Sequence, residues 1–85
     1  GSFQLVEGRV LDVAMVRGRT YLNFGANWRT DFTISLARRV GRLFKKASVD
    51  PAKMEGRHIR VRGWLKSYHG PMIEATHPEQ IEVLE

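Results

Sequence analysis

The chain has 85 residues and no cysteine: one small domain, burying only roughly 60 to 65% of its unfolded surface, with neither a disulfide framework nor a thiolate metal site to support its core. Its formal net charge is +5 with neutral histidines, its isoelectric point is about 10.2, and ten of its fourteen cations are arginine; the planar guanidinium suits phosphate oxygens and bases better than an ammonium does, so an anionic partner fits this balance, as does a merely soluble basic surface. No apolar run reaches about eighteen residues and no charged region leads into an apolar one at the start, which argues against a membrane span, a signal peptide or a membrane partner.

Gly1-Ser2 reads as a cloning remnant, leaving one domain over residues 3–85 that looks excised from a longer protein. From Gln4 to Val16, "QLVEGRVLDVAMV" is rich in Val, Leu and Met with Gly8 inside it, and "RGR" follows as a turn signal with basic flanks. One long, bent strand is expected there. Thr20, Leu22 and Phe24 then alternate with Tyr21 and Asn23, so the first set should face inward and the second outward. A polar corner of about seven residues, holding Gly25, Trp28 and Arg29, leads to a second alternation in which Phe32, Ile34 and Leu36 face in and Asp31, Thr33 and Ser35 face out; together the two segments form a hairpin.

The period then changes. Leu36, Val40, Leu43, Phe44 and Ala47 recur at helical spacing, with Arg38, Arg39, Arg42, Lys45 and Lys46 on the remaining face, which predicts one amphipathic helix of about three turns. In the connector "SVDPAKMEG", Asp50-Pro51 starts a short helical turn that Gly56 ends. "RHIRVRGWLKSY" resumes period two, with Ile59, Val61 and Leu65 inward, His58, Arg60, Arg62 and Trp64 outward, and Gly63 among the inward positions, where a strand can bend or be crossed closely. "HGP" turns, "MIEAT" extends, Pro78 interrupts, and "QIEVL" ends extended.

Strand, strand, strand, helix, strand, strand in under a hundred residues predicts an all-β domain with one helix: a five-stranded Greek-key OB-fold barrel, order β-β-β-α-β-β. A sheet covered by one helix in another order is the alternative. "GRVLDV" (residues 8–13), "YLNFG" (21–25), "DFTI" (31–34), "IRVRGW" (59–64) and "GPMIEATHPEQIEVL" (70–84) together resemble the small OB-fold domains attached to bacterial thermonuclease-like (staphylococcal-nuclease-like) proteins and those within some secreted nucleases. The resemblance implies an accessory nucleic-acid-binding module beside a separate nuclease domain of the same protein, and export to the periplasm or medium if that parent is exported. The carboxylates and arginines that surround calcium in thermonuclease-like domains do not map onto this sequence, so no catalytic residue is carried over.

OB-folds bind single strands across the outward side of strands two and three, between the loops that join strands one to two and four to five. That rule names Tyr21, Asn23, Thr33 and Ser35 on the sheet, Arg17 and Arg19 on the first loop, Tyr68 and His69 on the last, and Trp28 and Arg29 at the hairpin tip. Tyr21 either stacks a base or only pairs across strands. Trp28 reads more readily as a plug, Trp64 as packing against the connector or a neighbouring domain rather than as a basic-aromatic stripe with Arg60 and Arg62, those two arginines as a solvated face or a phosphate track, and the helix cations as solubility more than as an extension of an electrostatic footprint. Enzyme readings find little purchase: His58, His69 and His77 have no metal-type spacing, and Asp12, Asp31, Glu55 and Glu74 form no local pair. The expectation is a monomeric, non-catalytic binder of single-stranded DNA or RNA with no cofactor, and the rival is a structural barrel packed on its parent's catalytic domain.

Overall fold

A computed structural model describes residues 1–27 and 31–85. The period-two segments become strands β1 (Ser2–Arg9), β2 (Asp12–Val16), β3 (Arg19–Asn23), β4 (Thr33–Leu36), β5 (His58–Ser67), β6 (Pro71–Glu74) and β7 (Ile81–Val83), and the one helix, α1, spans Gly41–Lys46 between short 3-10 turns at Arg38–Val40 and Pro51–Lys53. The chain is thus mostly β. The strands form one seven-stranded sheet in the order β1-β5-β6-β4-β3-β2, with β7 also paired to β5; β4 and β6 run parallel and the other pairs antiparallel. Among the described residues no helix is long and apolar enough to cross a membrane.

The inner face follows from register. Val13, Leu22, Ile34, Ile73 and Leu65 lie opposite one another across five strands, and Leu22, Ile34 and Ile73 are fully buried together with Phe44, Ile59 and Val61. The expected long first strand breaks at Val10-Leu11 rather than at Gly8, which stays in the ladder opposite Ile59. The reason is a change of partner. Val10 donates to Arg57 O and accepts from Gly56 N, whereas Leu11 already donates to Asn23 O. The chain leaves the edge of β5 and joins β3 within two residues, and the buried Val10 side chain anchors the crossing.

Gly63 is the close approach its position predicts. A Cβ there would sit 2.7 Å from Ile73 Cγ2 and 3.0 Å from Gln80 Nε2. The same Gln80 donates to Arg62 O and accepts from Thr76 N and His77 N, which ties the Pro78–Gln80 turn onto the strand.

The helix is shorter than its hydrophobic spacing suggests. Leu36 is buried from β4, not from a helix, and Leu43 and Ala47 are exposed, so Val40 and Phe44 alone carry the apolar stripe. What stops it is the backbone at Ser48, whose φ is 62°. Ser48 N–H donates to Lys45 O and Val49 N–H to Phe44 O, a Schellman closure with serine where glycine is usual; Val49 then packs against the core. The connector behaves as read: Asp50 accepts from Ala52 N at 3.1 Å and Gly56, at φ 80°, ends the turn.

Charges divide unevenly over this frame. On the outer side of β1, β5 and β7, Glu7 meets Arg60 and His58, and Glu82 meets Arg60 and Arg62, all within 4.0 Å. Arg60 and Arg62 are therefore a neutralised ladder. Exposed pairs of this kind contribute at most about 1 kcal/mol each, so they shape the field more than the stability. Arg9 and Arg57 hold Glu85, and the hydrogen bond from Arg9 keeps that carboxyl below its ordinary range.

Candidate functional site

The outward side of β3 and β4 is where alternation puts it, but it is not an open platform. Tyr21 lies between Ala14 and Ser35 in register, and Asn23 between Asp12 and Thr33. Beyond β4 the rows continue to Glu74 and Met72 on β6. Thr33 and Ser35 point outward as expected yet are only 4% and 2% exposed. A central strand with neighbours on both sides is roofed by their larger side chains, so these two residues form a floor rather than a contact surface. Asn23 is already engaged: its amide donates to Asp12 Oδ2 at 3.4 Å and its carbonyl accepts from Thr33 Oγ1 at 3.3 Å.

What stands above that floor is a groove of about 380 Å³, lined by Tyr21, Asn23, Thr33, Met72, Ala14 and Val16 and, from the loop between β5 and β6, by Tyr68 and His69. Tyr21 is half-buried. Tyr68 is 63% exposed, its ring 4.7 Å from that of His69. The parallel pairing of β4 with β6 brings both to the groove, because it carries the loop before Pro71 to the same end of the sheet as Asn23. The groove thus has two tyrosine rings and an imidazole, where alternation alone identifies a single ring.

Both flanking loops are tight turns held at unusual backbone angles. Arg17 and Gly18 have φ of 52° and 85°, with Val16 paired to Arg19 around them; positive φ at both central residues is what a two-residue hairpin demands. In the three-residue loop between the paired Ser67 and Pro71, His69 and Gly70 also have positive φ, 54° and 102°. A non-glycine residue in this region costs about 1–2 kcal/mol, and each loop places an arginine or a histidine there.

Next to the groove, Glu74 lies between two cations, 3.7 Å from Arg19 and 3.4 Å from Lys66. Arg19, Tyr21, Tyr68, Lys66 and Glu74 line this second hollow, which shares both tyrosines with the groove. Arg19 also borders a cleft formed with Arg17, Arg38, Arg39, Arg42 and Ala37. Arg17 and Arg19 therefore sit in a basic cleft beside the aromatic groove rather than within it. Sequence reasoning missed Arg38, Arg39 and Arg42 as companions of Arg17, and Lys66, Met72 and Glu74 as lining. Trp28 and Arg29 lie outside the described residues.

Trp64 is not packed under the connector: it is 65% exposed, edge-on to Phe3 at 6.0 Å, with Leu5 also exposed on the same side of β1. Asp31 accepts from Asn27 N at 3.0 Å and so serves its own loop. Among the described residues no three His, Asp or Glu side chains are placed to hold a metal ion. The arrangement can offer flat rings to flat partners and guanidinium groups to anions. Set beside protein-family models and curated proteins, the chain matches none of them.

Proposed function

We propose that this chain is a non-catalytic OB-fold module that binds single-stranded DNA or RNA with little sequence preference, as an accessory to a nuclease domain. The barrel reading rests on how the seven segments group. β1 and β2 are one run interrupted at Val10-Leu11; β6 and β7 both pair with the same strand, β5, and are separated only by the turn that Gln80 ties down. Counted this way there are five strands, with the first pairing both β5 and β3, which is the connectivity of a small Greek-key barrel.

The observation that carries the function is the pair of tyrosines lining one groove, with Arg19 in the hollow that adjoins it. Base stacking on an aromatic ring contributes about 1–3 kcal/mol per base and tolerates any base, while arginine supplies phosphate contacts. The cost of holding Arg17 and His69 at positive φ fits a site, since such conformations concentrate where function keeps them.

Fluorescence titration of labelled oligonucleotides at about 50 and 200 mM salt tests the reading. With about four phosphates neutralised, log affinity should fall against log salt with a slope near −3; a chain indifferent to both DNA and RNA at the lower salt refutes it. A gain of affinity is also expected. Glu74 occupies Arg19 and Lys66 and opposes a phosphate, so Glu74→Gln should tighten oligonucleotide binding by about three- to tenfold at low salt, and an unchanged or weakened affinity would place the strand's path elsewhere.

The exposed Phe3, Leu5 and Trp64 favour a second reading, in which this apolar side meets a neighbouring domain of the same protein. A barrel serving only that purpose predicts no response in the same titration.

A further inference from the structure

We infer that the cleft of Arg17, Arg19, Arg38, Arg39 and Arg42 is a second subsite that takes the sugar-phosphate backbone of the same single strand as it leaves the tyrosine groove. The inference rests on the groove reading above. Its own support is the distribution of charge. Arg9, Arg60, Arg62 and Lys66 each have a carboxylate within 4.0 Å. Among the described residues, Arg17, Arg38, Arg39 and Arg42 make no ion pair, and Arg19 alone of the five reaches one, at 3.7 Å. No acid lines the cleft. Lys45 and Lys53, which also make no ion pair among the described residues, line another hollow that contains Asp50, whereas the five arginines share one hollow without an acid.

Packing fixes the cluster. The turn at Gly18 lies against the stem of Arg38, so closely that a Cβ on Gly18 would meet its Cδ at 2.7 Å. Register supplies the rest: Thr20 opposite Leu36 brings the residues just before β3 beside those just after β4. Five guanidinium groups drawn together repel one another, and a ligand anion relieves that repulsion. Each guanidinium can also grip a phosphate through two parallel N–H donors. Continuity decides which anion. Arg19 lines both this cleft and the hollow that contains Tyr21 and Tyr68, so a strand stacked in the groove has its next phosphates at the cleft.

The test compares oligothymidylates of four and ten nucleotides on the whole domain and on Arg39→Gln/Arg42→Gln, with circular dichroism to check folding. The longer strand should bind the parent chain more tightly and with the steeper salt slope. In the double variant the shorter strand should bind within about twofold of the parent, while the longer one weakens on the order of tenfold near 50 mM salt and its slope drops by about 1.4, the share of two phosphates on a single strand. Arg17→Gln/Arg42→Gln, which removes one charge from the β2–β3 turn and one from α1, should do the same. An unchanged slope and affinity for the longer strand, with the shorter still bound, overturns the cleft and leaves the groove. Failure of both strands to bind the parent removes the groove and the cleft with it. Binding only to vesicles rich in phosphatidylserine would instead make the cleft a lipid contact and overturn the proposal.

Discussion

Tyr21→Ala is expected to weaken single-strand binding by about five- to 150-fold, the loss of one stacked base at about 1–3 kcal/mol. The salt slope should not move, because stacking releases no counterions, whereas the arginine variants should change the slope; the two kinds of contact are separated by that one plot. Tyr21→Phe keeps the ring and should retain most of the affinity. A merely structural tyrosine gives another pattern. Tyr21 is half-buried between Ala14 and Ser35 on neighbouring strands, so the alanine variant will lose some stability, visible as a lower Tm. If affinity measured well below that Tm is unaltered, the ring only pairs strands, and the groove loses its central contact. Tyr68→Ala should behave likewise but at smaller cost to stability, since its ring is already 63% exposed.

The strands were legible because most of them are wet on one side, and a one-sided surface writes itself into the sequence as alternation. Thr20, Leu22, Ile59 and Val61 all lie inward as their spacing says. Alternation reports direction, however, and not what covers a side chain. Thr33 and Ser35 are outward and buried, because β4 gains a parallel neighbour from almost forty residues further along the chain. Tyr68 is named by the OB-fold rule and not by alternation, because nothing local says that its loop returns to the side of Tyr21. The arginine cleft was closer to being readable. A hairpin of Thr20–Asn23 with Thr33–Leu36 forces "RGR" before it and "ARR" after it to one end, so the basic flanks could be paired from the register alone. The helix was overestimated because Leu36 and Ala47 extend the spacing by chance. Leu36 belongs to a strand, and the stop at Ser48 uses a residue that carries no strong signal for a left-handed cap.

Phe44→Ala should be the most destabilising single change, costing about 3–5 kcal/mol. Phe44 is fully buried and is the largest side chain so placed. A domain of this length has a total stability on the order of 5–10 kcal/mol, so the variant should lose from about a third to nearly all of it, and Phe44→Leu should fall between. Its effect should also be unevenly spread. α1 has six residues, no side-chain cap at its start and no acid in its first turn, and a helix that short does not persist without tertiary contacts; Val40 and Phe44 are what dock it. Losing the ring should therefore loosen α1 and the Arg38–Val40 turn before the sheet, whose pairing does not involve them. Urea unfolding followed by circular dichroism measures the loss, and the oligothymidylate pair reads its distribution. Under conditions where the variant is still folded, the shorter strand should bind nearly as before, while the longer one loses the advantage that Arg38, Arg39 and Arg42 give it. Equal weakening of both strands would mean that α1 and the β3–β4 wall unfold as one unit.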